Sequence, residues 1–234
     1  MFAFSPESRP FRQRPAVPAG LRQKVAPLIA ASARTLPVDP ALSGMLPGKS
    51  LQRGTVTLVA GRSGFGATSL GIALLAHASS NGHWCGVVGL RHPGVLAMKE
   101  LGLDVDRVIF VPEPDNKWAE AAAELFDGVE LLLVAPPQRV PHGTARQLIA
   151  RAKERHVVML VVLEHAEHWP IVPEFTLSLV SSSWQGVGRG DGRLAARRVG
   201  VVGQGRRGAS HARQSTLWLP SLSGAVGLIE EEAS

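Results

Sequence analysis

Residues 54–78 read Gly-Thr-Val-Thr-Leu-Val-Ala-Gly-Arg-Ser-Gly-Phe-Gly-Ala-Thr-Ser-Leu-Gly-Ile-Ala-Leu-Leu-Ala-His-Ala. Thr55 to Ala60 is a short apolar run rich in β-branched residues, and Leu70 to Ala78 has the composition of an Ala/Leu helix. Gly61, Gly64 and Gly66 supply the turn between them. A strand, a glycine-rich turn and a helix N-terminus together form the phosphate-cradling loop with the pattern G-x-x-x-x-G-K-[ST]. Gly61 and Gly66 keep that spacing, Thr68 stands at the metal-binding hydroxyl, and Ser69 follows it. The lysine position is Ala67.

That lysine carries positive charge to the outer phosphates, while the backbone amides and the helix dipole supply the rest of the attraction. Alanine keeps the shape of the cradle and removes its main electrostatic contribution. Arg62 is basic and near, but at the second position of the loop its side chain need not point inward. Two readings follow: the loop has recruited a cation from elsewhere, or it keeps an inherited shape without the chemistry. The second is favoured on sequence alone.

Outward from the loop, 234 residues fit one medium α/β domain with extensions. No run approaches the roughly 18 apolar residues of a membrane span. Met1 to Arg14 lacks the apolar stretch of a signal peptide, so a cytoplasmic location is expected, with no membrane partner. The single Cys85 excludes internal disulfides and lies beside Trp84 in an apolar run, the setting of a packed thiol. His165 and His168 in Glu-His-Ala-Glu-His (164–168) suggest either a metal-binding pair or a polar strand end; the second is favoured, and no metal or other cofactor is expected.

The net charge of +6 is uneven. Residues 1–40 hold six basic and two acidic side chains, residues 41–185 hold 12 and 13, and residues 186–214 hold seven and one. Basicity therefore belongs to two flanking segments, a pattern that suits polyanions or acidic partners met by arms.

Residues 1–20 are rich in proline and arginine and read as an arm. Leu21 to Arg34 has the spacing of a short amphipathic helix, and Pro37 to Pro47 reads as a linker. The predicted division is a basic N-terminal arm (1–45), a core (46–220) and a C-terminal tail (221–234). Within the core, strands are expected at 84–90, 107–111, 129–134 and 157–163, with helices at 93–101, 116–126 and 144–155. Asp115 or Asn116 is the expected N-cap of the second of these helices. Uninterrupted apolar strands between helices indicate a mostly parallel sheet covered on both faces. From Phe175 the pattern alternates, with strands at 175–184, 197–202 and 216–219 and glycine-rich turns at 186–193 and 203–208. This is an antiparallel meander appended to the parallel sheet.

The order of these parts resembles the core of the RecA recombinase family. Leu46 to Val56 looks like the family's approach to its first strand, and Gly82-His83 with Leu101 to Phe110 looks like its second strand–helix–strand unit. The resemblance implies a P-loop lysine where Ala67 stands and a Walker B aspartate where Ala135 stands. It implies a catalytic glutamate at Leu90 or Arg91. Phosphoryl transfer needs a cation, a metal-holding carboxylate and a group that orients water. All three are replaced, so no ATP hydrolysis is expected.

The runs 66–76, 84–90 and 127–134, with Leu217-Trp218-Leu219-Pro220, resemble more closely the RecA-like mutasome accessory proteins of the ImuA family, whose high-GC branch is worn at the Walker motifs. This resemblance implies a non-catalytic adaptor in damage-induced mutagenesis (translesion DNA synthesis). Its expected partners are an inactive Y-family polymerase homologue (ImuB-like) and, through it, an error-prone replicative-type polymerase. The alternatives are an atypical RecA- or KaiC-like ATPase and a nucleic-acid-binding module.

Gly61, Arg62, Gly64, Gly66, Ala67, Thr68 and Ser69 are the vestigial nucleotide loop on this reading. Arg189, Arg193, Arg197, Arg198, Arg206, Arg207 and Arg213 are candidate contacts for non-specific DNA. Trp218, Leu222, Val226, Leu228 and Ile229 are candidate partner contacts, because an untethered chain end should be polar and exposed apolar anchors carry most interface energy.

Overall fold

The structure is a computed structural model that describes residues 34–92, 94–187, 191–206 and 212–229. The chain divides after Arg34, and the elements below belong to the unit that starts at Thr35. Apart from Arg34, the N-terminal arm's first 34 residues and the short helix expected there lie outside the described residues. In chain order the elements are β1 (Thr35–Leu36), α1 (Pro40–Ser43), β2 (Leu51–Gln52), β3 (Val56–Ala60), α2 (Ala67–Ser80), β4 (Cys85–Val88), α3 (Val95–Glu100) and β5 (Val108–Val111). They continue with α4 (Trp118–Leu125), β6 (Leu131–Val134), α5 (His142–Glu154), β7 (Val158–Leu163), β8 (Phe175–Val187), β9 (Gly192–Gly205), β10 (Arg213–Trp218) and β11 (Gly227–Leu228).

Nine of the strands form one sheet in the order β11-β10-β9-β8-β3-β7-β6-β4-β5. From β8 to β5 all neighbours are parallel, and from β8 to β11 all are antiparallel. Strands β3, β4, β6 and β7 are buried along their whole length, which explains their lack of polar alternation. Successive residues feed opposite cores. Val59, Leu133 and Leu160 pack with Leu70, Leu74 and Leu75 of α2. Leu58, Leu132 and Met159 pack with Ala122 of α4 and Leu148 of α5 on the other face.

The loop's helix lies close against the sheet because Gly71 has no side chain. A Cβ there would come 2.5 Å from Leu133 Cδ1 and 3.0 Å from Val162 Cγ2. Helix α2 and strand β3 are thereby fixed at the centre of the sheet, and the connecting loop is fixed with them.

Several boundaries differ from the sequence reading. The fold starts at Thr35, ahead of the predicted Leu46: β1 pairs with β2, and Leu36, Leu42 and Met45 are fully buried. Asp39 caps α1 by accepting a hydrogen bond from Ala41 N at 2.8 Å, so the expected linker is a folded segment that covers the core. Ahead of α4, Asp115 takes a left-handed φ of 48° and opens a short 3-10 turn. Lys117 then occupies the N-cap position, with no side-chain hydrogen bond, in place of Asp115 or Asn116.

The antiparallel strands are continuous with the parallel ones, since Thr57–Ala60 of β3 pairs directly with Phe175–Ser178 of β8. Beyond that pairing β8 stays with β9, which pairs with β10 as far as Arg198; past Arg198, β8 and β9 run on as a two-stranded ribbon, and their register is irregular after Leu179 and Gln185. The strands take in Gly186, Val187, Gly192 and Arg193 of the first predicted glycine turn and Gly203 to Gly205 of the second. At the other end, Leu217 and Trp218 of β10 pair with Leu228 and Gly227 of β11, which ties residues 227–228 to the sheet edge. Among the described residues no helix is long and apolar enough to cross a membrane.

Candidate functional site

Strand β3 ends at Ala60, and the next residue is already anchored: Gly61 N donates to Leu163 O at 3.1 Å. Phe65 N donates to Arg62 O at 3.0 Å and closes a turn. Gly64 and Gly66 take left-handed φ values of 82° and 98°, which a side chain would strain. Gly66 is the N-cap residue of α2, and its carbonyl accepts from Leu70 N at 2.9 Å. Thr68 and Ser69 follow in the first helical turn, while Ala67 is buried.

Over this loop lies an open cleft of about 520 Å³. Its walls are the loop, Pro136 to Gln138 after β6, Leu163 at the end of β7 with Glu164 and His168 beyond it, and Arg197 from β9. The fold therefore brings Gly61, Arg62, Gly64, Gly66, Ala67, Thr68 and Ser69 together around one concavity.

The ends of β4 and β6 carry no acid at Leu90, Arg91 and Ala135. Ala135 N donates to Val88 O at 2.9 Å, and its carbonyl is packed so tightly on Gly89 that a Cβ at Gly89 would overlap it. Leu90 packs against the core, and with Arg91 it lines a separate hollow beside α3. Among the described residues no group of three or more His, Cys, Asp or Glu side chains could hold a metal ion. One carboxylate does border the cleft: Glu164, exposed, whose Oε1 accepts from Ser63 N at 3.4 Å. His168 stands nearby, edge-on to His165 with 5.3 Å between ring centroids.

The cation at the loop comes from a distant strand. Arg62 lies over the Phe65 ring at 5.7 Å and is exposed. Arg197 of β9 instead points its guanidinium at the loop and is only 6% exposed. Its Nη2 donates to Ser69 Oγ at 2.8 Å and its Nε to Leu219 O at 2.7 Å, with a longer 3.5 Å approach of Nη1 to Gly64 O. The indole of Trp184, its cross-strand partner, covers it at 5.0 Å. A Cβ at Gly66 would overlap the guanidinium, so this glycine is needed for space as well as for conformation. No carboxylate pairs with Arg197 among the described residues. Burial pulls its pKa below the ordinary arginine value.

Arg197 therefore leaves the set of candidate DNA contacts, which requires an exposed side chain. A signal for this was present in the sequence. In an alternating strand Arg197 shares a face with Val199 and Val201, both of them buried. The other described arginines of the set do not converge. Arg193 and Arg206 are exposed and stand at opposite ends of β9, a strand that spans up to about 40 Å at ~3.3 Å per residue. Arg198 is exposed on the face opposite Arg197, and Arg213 Nη1 donates to Leu46 O at 2.8 Å. Arg189 and Arg207 lie outside the described residues.

Of the candidate partner contacts, Trp218 is half-buried in β10 and Val226 packs against the core. Ile229 N donates to Thr216 O at 3.0 Å. Leu222 and Leu228 remain outward, 81% and 52% exposed. The predicted tail is thus an edge of the sheet as far as Ile229, with two apolar side chains facing solvent.

Two comparisons bear on the chain as a whole. It is 32% identical over 152 residues to the uncharacterized protein Rv3395c of Mycobacterium tuberculosis, a match covering 64% of this chain and 62% of that one. The chain thus spans less than two thirds of that relative's length. The family model of the MT3502 N-terminal domain matches residues 44–170, the stretch from the end of α1 through β7 that contains the loop, its helix and the strand ends around the cleft. The chain belongs to the family of the MT3502 N-terminal domain.

Proposed function

We propose that the protein is a non-catalytic RecA-like adaptor in damage-induced mutagenesis. It acts in translesion DNA synthesis between an inactive Y-family polymerase homologue (ImuB-like) and an error-prone replicative-type polymerase. One observation carries the non-catalytic part: the cradle is built at the sheet centre, yet Ala67, Ala135 and Leu90 or Arg91 occupy the positions where hydrolysis would need a lysine, an aspartate and a glutamate. The RecA-like reading of the core is supported by the central strand–loop–helix and by parallel strands that continue into an antiparallel edge. The partners follow from the resemblance of the sequence.

The test is copurification of the tagged full chain from DNA-damaged cells. The adaptor reading expects the polymerase homologue among the retained proteins, and its absence from the wild-type eluate would remove the reading. Glu164 favours a second reading, an atypical ATPase, because it places one carboxylate at the cleft. Turnover that is abolished by Glu164→Gln would establish that reading over the first.

A further inference from the structure

A buried guanidinium with no anion beside it is expensive. Moving an ion from water into protein costs several kcal/mol unless charge and hydrogen bonds replace its hydration. Arg197 meets that cost only in part. Each of its three nitrogens donates to a neutral oxygen, Nη2 to Ser69 Oγ, Nε to Leu219 O and, at 3.5 Å, Nη1 to Gly64 O, and Trp184 covers one face of the guanidinium. Its positive charge has no carboxylate partner among the described residues, and it borders the cleft above a glycine-rich loop and the first turn of α2. Loop amides, helix N-terminus and guanidinium all favour negative charge at one place.

We propose that the cleft binds a diphosphate group, with Arg197 serving as the cation in place of the lysine missing at position 67. A diphosphate suits the site better than a single phosphate because the donors are spread from the 61–66 loop to Ser69 across about 520 Å³. A planar guanidinium that already bonds Ser69 can offer its remaining N–H groups to phosphate oxygens. The group could arrive as inorganic pyrophosphate or as part of a nucleoside diphosphate. Binding here requires no polymerase partner, so it is read in an assay separate from copurification.

The experiment is calorimetric titration of the full chain, in EDTA, with pyrophosphate and with ADP in separate runs. Saturable binding is expected, weakened at least about tenfold in Arg197→Met, the scale of one lost charge-assisted hydrogen bond. The double variant Ala67→Lys, Arg197→Met should regain most of it by returning a cation to the loop. Tighter binding of ADP identifies a nucleotide as the source, and equal binding identifies the bare diphosphate. Should Arg197→Met fail to fold, the wild type still decides. Trp184 rests on the guanidinium, so its fluorescence should follow the titration, and Trp184→Phe should lose that signal. The proposal is overturned if neither ligand saturates the wild type at millimolar concentration. It is equally overturned if folded Arg197→Met binds like the wild type, or if binding heat appears with no change at Trp184.

Discussion

The position of the loop depends on how closely α2 approaches the sheet, and Gly71→Ala tests that directly. Two effects oppose each other. In a helix interior alanine is favoured over glycine by about 1 kcal/mol. Against this, the new methyl would meet Leu133 Cδ1 at 2.5 Å and Val162 Cγ2 at 3.0 Å. Leu133 is fully buried and Val162 nearly so, and the β-branched valine has little rotamer freedom with which to retreat. Overpacking of this kind costs about 1–3 kcal/mol, and with both neighbours confined the upper part of that range applies. A net loss of roughly 1–2 kcal/mol is expected. Gly143→Ala in α5 is the internal control, since a Cβ there meets nothing within 4 Å. It should be neutral or stabilising by a few tenths of a kcal/mol up to about 1 kcal/mol. Urea unfolding reads both variants as midpoint shifts at unchanged slope. If Gly71→Ala is as stable as the wild type, the close-packing account of the loop helix is wrong, and a destabilised Gly143→Ala would show that the propensity argument fails in this protein.

Three further outcomes are expected. The purified protein should not hydrolyse ATP, and Ala67→Lys alone should not confer turnover; phosphate release above that of an Ala67→Asp, Thr68→Ala control would contradict this. Glu130 accepts hydrogen bonds from both Arg53 and His83, the latter at 2.9 Å. Burial pushes its pKa up, but these two bonds and charges outweigh burial and hold it below the ordinary 4.5. Its contribution is therefore present above that value and lost as pH falls through the lower folded-state value, so Glu130→Gln should flatten the acid side of a urea-midpoint-against-pH curve. Burial first, and the Glu130 charge second, push the Cys85 thiol up to about 12; a disulfide reagent at pH 8 should leave it intact in the folded chain and modify it at once in denaturant.

What could be read from the sequence, and what could not, divides on range. Buried parallel strands announce themselves because both faces are covered, so β3, β6 and β7 were legible as apolar runs to within a residue or two. The loop was legible because its glycines are spaced by a local conformational need. The N-terminal boundary was not, since Pro37 to Pro47 has the composition of a linker while Leu42 and Met45 are buried by contacts that composition cannot reveal. The same holds for Glu164, which belongs to the cleft only because β7 lies beside β3.

Arg197 shows the limit most clearly, and it also links the two halves of the sheet. It is separated from the loop by more than a hundred residues and reaches it because β8 joins β3 in parallel and carries β9 alongside. Its charge counts differently in the two descriptions. In a tally of basic residues it adds to a polyanion-binding segment, whereas in the fold it is withdrawn from that surface and placed under Trp184 at the loop. The antiparallel part of the sheet is thus more than a cover for the parallel part, since it delivers a buried cation to a cradle whose own lysine position is alanine. A change in the register of β9 by one residue would turn Arg197 outward and bring Arg198 or Ala196 to the loop. The irregularities in the β8–β9 ladder after Leu179 and Gln185 flank the Trp184–Arg197 pair, and they are where such a change in register would be introduced or corrected.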